Sequence, residues 1–103
     1  MNREPLIQNV NIDYIIPNRF QPRLTFDEKS LNELASSIKE HGIIQPLVLR
    51  RLGDKYEIIA GERRVRASKI AGMETVPAIV RDFNDQEMME IALLENLQRE
   101  DLN

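Results

Sequence analysis

With 103 residues, 42% of them apolar and 30% charged, the chain is sized for one domain around a modest core. It has no cysteine and no tryptophan, which removes disulfide stapling, thiolate zinc sites and cysteine catalysis and leaves the core to aliphatic side chains. The formal charge of −3 argues against a general DNA-binding surface, since phosphate contacts demand a basic face.

Residues 10–16 are rich in Val, Ile and Tyr and predict a short strand, broken by Pro17-Asn18. Residues 18–25 form a loop holding Arg19, Gln21, Pro22 and Arg23. Asp27 is placed as an N-cap, and Leu31, Leu34, Ala35 and Ile38 recur at the spacing of one buried helical face. His41-Gly42 closes that helix. Residues 47–50 and 56–60 predict two strands joined through the Gly53-Asp54 turn as a hairpin. Residues 62–71 predict a second helix, stopped by Gly72. Residues 75–81 predict a strand whose Pro77 suggests an edge or a strand start. Asn84 with Glu87 has capping-box spacing, and Met88, Ile91, Ala92 and Leu94 give the apolar face of a third helix. The sum is a small α+β domain, a mixed sheet of about four strands with three or more helices.

No run of about 18 apolar residues exists to span a bilayer. Met1-Asn2-Arg3-Glu4-Pro5 lacks the apolar stretch of a secretory signal, and no amphipathic membrane anchor is visible. A cytosolic setting is expected. The end at Asp101-Leu102-Asn103 follows a charged helical pattern directly, so more chain is expected beyond it.

Four short segments carry candidate chemistry. Ala60-Gly61-Glu62-Arg63-Arg64 puts a glycine and two arginines at a helix start, where backbone N–H groups already favour an anion. Gly61 allows close approach to a ligand, and each guanidinium offers forked donors to phosphate oxygens. The bland alternative is a glycine cap followed by solvated arginines. The segment is neither a P-loop nor a dinucleotide Gly-x-Gly-x-x-Gly turn. Glu95-Asn96 suits Mg²⁺ held mainly by phosphates, or a solvated helix face. The arginines of Arg19-Phe20-Gln21-Pro22-Arg23 suit an anion or a partner carboxylate. Gln45, before Pro46, has the donor and acceptor needed to read a base edge, although a loop glutamine is usually just solvated. His41 fits a helix C-terminal turn better than a catalytic role.

In order, Asn18-Arg19-Phe20-Gln21-Pro22-Arg23, His41-Gly42-Ile43-Ile44-Gln45-Pro46, Ala60-Gly61-Glu62-Arg63-Arg64 and Glu95-Asn96-Leu97-Gln98-Arg99 resemble the N-terminal domain of the ParB family of bacterial chromosome and plasmid partition proteins. The first segment is most similar to the nucleoid occlusion branch, Noc. The resemblance implies a ParB/sulfiredoxin-like fold and a CTP-dependent DNA clamp. In such a clamp CTP and Mg²⁺ drive two N-terminal domains together, and slow CTP hydrolysis resets them. Carried over by position, Gly61, Glu62, Arg63 and Arg64 hold the phosphates. Glu95 and Asn96 serve Mg²⁺, with Glu95 as the hydrolytic group. Gln21 and Arg23 shape the nucleoside pocket with the Ile44-Gln45-Pro46 turn; Gln45 meets the base, and Thr25 is a polar contact near phosphate or metal. The implied partners are a second copy (a homodimer), DNA through a helix-turn-helix domain beyond Asn103, and a ParA-type ATPase. Sulfiredoxin chemistry needs a cysteine and is excluded. Two other readings stay open: a phosphotransferase like the ParB-like free serine kinases, and a nucleotide-free protein interaction domain.

Overall fold

The structure is a computed structural model that describes residues 6–20 and 27–101, with 95–101 as backbone only. In chain order it contains β1 (Gln8–Asn11), a 3-10 turn (Ile12–Tyr14), β2 (Ile15–Ile16), α1 (Glu28–His41), β3 (Leu47–Leu52), β4 (Lys55–Ala60), α2 (Glu62–Ile70), β5 (Thr75–Arg81) and α3 (Asp85–Asp101). The strands form one five-stranded mixed sheet in the order β1-β5-β3-β4-β2.

The α+β class, the mixed sheet and the hairpin agree with the sequence, and the sheet has five strands where the sequence predicts about four. Residues 10–16 are not one strand. The Asn11 side chain accepts from the Asp13 N–H at 2.9 Å and turns the chain after β1. Strand β2 then pairs at the opposite edge of the sheet, with Ile15 beside Tyr56 of β4. Four residue steps reach at most ~14 Å, whereas four flat strand spacings span ~19 Å. The sheet must therefore curl so that its edges approach, and Ile12 and Ile15 are buried in the core where they do. Pro77 also departs from expectation. It lies inside β5, an interior strand, opposite Asn9 of β1. The position tolerates proline because the ladder with β3 begins only at Ala78, one residue later.

Strand alternation sends Leu47 and Leu49 of β3, Ile58 of β4, and Val76 and Ala78 of β5 to one face, where Val65 of α2 joins them. Leu31, Ala35 and Ile38 of α1 pack on Ala67 of α2. Truncating Leu47, which is fully buried, to alanine would cost about 2–5 kcal/mol. On α3, Met88 and Ala92 are buried one turn apart, but Leu94 is exposed. Six residues beyond Met88, at 100° per residue, Leu94 points to the far side of the helix.

The helix ends follow the sequence. Asp27 caps α1 by accepting from the Ser30 N–H at 3.0 Å, and Gly42 terminates it at φ 76°. Asn84 and Glu87 form the reciprocal capping box, at 3.0 and 2.8 Å. Among the described residues no helix is long and apolar enough to cross a membrane.

Candidate functional site

No residue is spare between β4 and α2. Gly61 makes the turn alone, at φ 109° and ψ 26°. A Cβ built there would lie 2.5 Å from Leu47 Cδ2, so a side chain would be strained by the backbone conformation and would have to push the buried Leu47 side chain aside. The glycine lets the turn sit flush on β3. Among the described residues no side chain caps α2, which leaves its first N–H groups available, while Glu62 is the acidic residue of that first turn. Arg63 and Arg64 emerge in this first turn. Arg63 donates from Nη2 to Ser30 Oγ, at the start of α1. Arg64 donates from Nη2 to Gln45 Oε1, in the link between α1 and β3. Both acceptors are neutral, and among the described residues no carboxylate cancels the charge of either guanidinium.

Arg64 and Gln45 line an open groove of about 310 Å³ together with Leu34, Ser37 and Ile38 of α1 and with Ile43 and Ile44. A mostly apolar groove that an amide and a guanidinium also line suits a flat ring with polar edges joined to an anion. Glu62 faces elsewhere. It lines a second groove, of about 370 Å³, with Ile15, Pro17 and Lys69, and lies 3.8 Å from Arg66 one turn along α2.

A second polar cluster lies on β3 and β4, centred on Glu57, four residues and ~13 Å of strand before Gly61. Glu57 is fully buried. Its Oε1 lies 2.8 Å from Arg50 Nε and 2.6 Å from Arg50 Nη2. Its Oε2 accepts from the Arg19 backbone N–H at 2.9 Å and from Arg19 Nε at 3.1 Å. Arg50 donates further to the Phe83 carbonyl at 3.1 Å and to Asp85 Oδ1 at 2.7 Å. Asp85 Oδ1 also accepts from Arg19 Nη2 at 3.1 Å. Burial pushes the Glu57 carboxyl up, but the hydrogen bonds from Arg19 and Arg50 outweigh it and hold the group below the ordinary carboxylate range. Asp85 is likewise held low, chiefly by its hydrogen bond from Arg50.

The structure therefore brings Gly61, Arg63, Arg64 and Gln45 together and adds Ser30, which the sequence reading missed. Gln21, Arg23 and Thr25 lie outside the described residues. Glu95 and Asn96 fall within α3, and their side chains are outside the described part. The start of α2 meets α1 and the Gln45 link, whereas the start of α3 meets Arg19 at Glu57. His41 is exposed at the end of α1, 3.9 Å from Glu40. Arg50 and Glu57 had a legible signal: with Gly53-Asp54 as a two-residue turn, the hairpin register places them opposite each other. Among the described residues no three His, Cys, Asp or Glu side chains gather as a metal cage.

The profile of the ParB N-terminal domain matches residues 1–97. The nucleoid occlusion protein of Halalkalibacterium halodurans is 55% identical over 96 residues, covering 93% of this chain and 34% of that protein. Stage 0 sporulation protein J of Bacillus subtilis is 53% identical over 100 residues, covering 97% of this chain and 36% of that protein. The chain thus spans about a third of the length of these curated relatives. Among solved structures, the C-terminally truncated chromosome-partitioning protein ParB from Caulobacter crescentus, complexed with CTP-gamma-S, superposes with a TM-score of 0.78 at 41% identity, covering 89% of this chain and 53% of that one. The same protein complexed to the centromeric parS site gives 0.69 at 44% identity, covering 93% and 51%. Sulfiredoxin from Arabidopsis thaliana shares the fold, with a TM-score of 0.71 at 21% identity over 84% of this chain and 97% of that one.

Proposed function

This chain belongs to the ParB N-terminal domain family, and from that premise we propose that it is the CTP-binding switch domain of a ParB- or Noc-type partition protein. The triphosphate sits at the 61–64 turn. There Arg63 and Arg64 exchange the neutral oxygens of Ser30 and Gln45 for phosphate oxygens. Gly61 and Glu62 contribute the backbone of the turn. The base lies in the groove that Gln45 helps to line; Gln21 and Arg23 serve the nucleoside pocket, and Thr25 is a polar contact near phosphate or metal. Glu95 and Asn96 hold Mg²⁺ jointly with phosphate oxygens, as this hard cation prefers, and Glu95 supports slow hydrolysis. Nucleotide binding drives two copies together and closes a clamp around DNA in a longer protein. That protein reads DNA through another domain, works with a ParA-type ATPase, and acts in the cytoplasm on the nucleoid in chromosome segregation or nucleoid occlusion.

The observation that carries this reading is the placement of Arg64. It stands one turn from a glycine that the left-handed backbone conformation requires, and it reaches the Gln45 amide, which lines the same groove. The CTP-gamma-S complex of the Caulobacter crescentus relative supports the choice of nucleotide. The test is a thermal-shift comparison of CTP, ATP, GTP and UTP, each with and without Mg²⁺. A ligand that binds only the folded state at a hundred times its dissociation constant adds about 2.7 kcal/mol. CTP should raise the melting temperature most, and Mg²⁺ should enlarge the shift. No shift from any of the four would favour a nucleotide-free interaction domain.

A further inference from the structure

The Arg19–Arg50–Glu57–Asp85 cluster lies outside the anion turn, yet it grips the start of α3, the helix that bears Glu95 and Asn96. We propose that Asp85 and Arg19 are positioning residues: they set the direction in which α3 leaves the sheet, and thereby where its Mg²⁺-serving residues stand against the bound phosphates. The inference rests on the CTP reading above.

Asp85 is the first residue of α3. Its Oδ1 accepts from two guanidinium groups, Arg50 at 2.7 Å and Arg19 at 3.1 Å. Arg50 also holds the Phe83 carbonyl, two residues earlier, and the capping box locks Asn84 to Glu87. Residues 83–87 are therefore pinned at several points to Arg50, which is 3% exposed and fixed in turn by the buried Glu57. Farther along, among the described side chains, only one face of α3 is held. Met88 and Ala92 are buried, but Met89, Leu93 and Leu94 are exposed. At 1.5 Å per residue Glu95 stands ~15 Å from the anchor, so a tilt of about 10° there displaces it by about 2.6 Å. That is enough to move a ligand out of a metal's coordination shell. Arg19 extends the anchor to the chain leaving β2, because its backbone and side chain share Glu57 with Arg50. A displacement of that segment is felt at α3 through the shared Asp85 oxygen.

The chain has no cysteine, so single labels can be placed at will. Spin labels on Lys69→Cys in α2 and Glu90→Cys in α3 report the direction of α3 as a distance distribution. CTP affinity by calorimetry, with and without Mg²⁺, reports its consequence. Asp85→Asn should leave the Mg²⁺-free affinity within twofold, lose at least tenfold of the gain that Mg²⁺ confers, and broaden the distance distribution. Arg19→Gln should act in the same direction, and Asp85→Glu should restore most of the gain. An Asp85→Asn protein that keeps the full Mg²⁺ gain and the parent's narrow distribution overturns the proposal, as does one whose two affinities fall equally, which marks a structural role alone. If the parent binds no CTP, the CTP reading fails. The distribution then decides for α3: broadening in Asp85→Asn sustains the positioning role, and an unchanged width overturns it.

Discussion

The two ends of β4 hold arginines in opposite ways. Near its start, Arg50 and Arg19 are bonded to carboxylates and the charges cancel, with Arg50 and Glu57 buried and Arg19 and Asp85 at the surface. Just past its end, Arg63 and Arg64 are bonded to a hydroxyl and an amide, and the charges remain. The difference separates the work of the two clusters. A guanidinium whose partner is a buried carboxylate cannot be lent to a ligand without leaving that carboxylate bare. One held by a neutral oxygen can change partner at little cost, and gains a charged hydrogen bond when it does.

The comparison breaks most readily at Glu57. Glu57→Gln leaves Arg50 buried beside a neutral amide and should cost about 3–5 kcal/mol in urea unfolding; a loss below about 1 kcal/mol would mean that the cluster is not structural. Arg64→Ala should do the reverse. Its unfolding midpoint without ligand stays within the ordinary range of a surface change, about ±0.5 kcal/mol, while CTP binding weakens by about 1.5–3 kcal/mol. Gly61→Ala forces a Cβ against Leu47 at a left-handed φ, and should cost about 1–3 kcal/mol on unfolding as well as weakening the nucleotide.

Acid should act on one cluster and spare the other. Glu57 and Asp85 are held below their ordinary values, so the unfolded chain takes up protons first as pH falls. Their contribution is fully present at neutral pH and is lost progressively below about pH 4. Melting temperatures followed from pH 7 to pH 3 should hold steady and then drop, with a shallower drop in Glu57→Gln. The smallest effect lies at a third kind of polar group. Ser68 Oγ is buried and has no hydrogen-bond partner among the described residues. Ser68→Ala should be neutral or stabilise by up to about 1 kcal/mol, seen as an unchanged or raised unfolding midpoint.

The sequence made local features plain because local chemistry decides them. Asp27, Gly42, the Asn84–Glu87 box and the Gly53-Asp54 hairpin all depend on residues within a few positions of one another. The split of residues 10–16 was not legible, since it depends on the curl of a sheet whose other strands lie between Leu47 and Arg81, far downstream. At the candidate site, the glycine and its two arginines could be read directly from their spacing. Ser30 could not, because nothing in the first turn of α1 signals that it faces the first turn of α2. Arg19 read as an anion or carboxylate ligand, and it proved to hold carboxylates of the protein itself, Glu57 and Asp85.

The central claim concerns the pair of arginines that carry charge without cancelling it. Calorimetric titration of CTP with Mg²⁺ into the parent chain and into Arg64→Ala tests it most directly. The account predicts a saturable, one-site isotherm for the parent and at least a tenfold weaker one for the variant. Equal isotherms for the two proteins, or heat from the parent that never saturates, would contradict it.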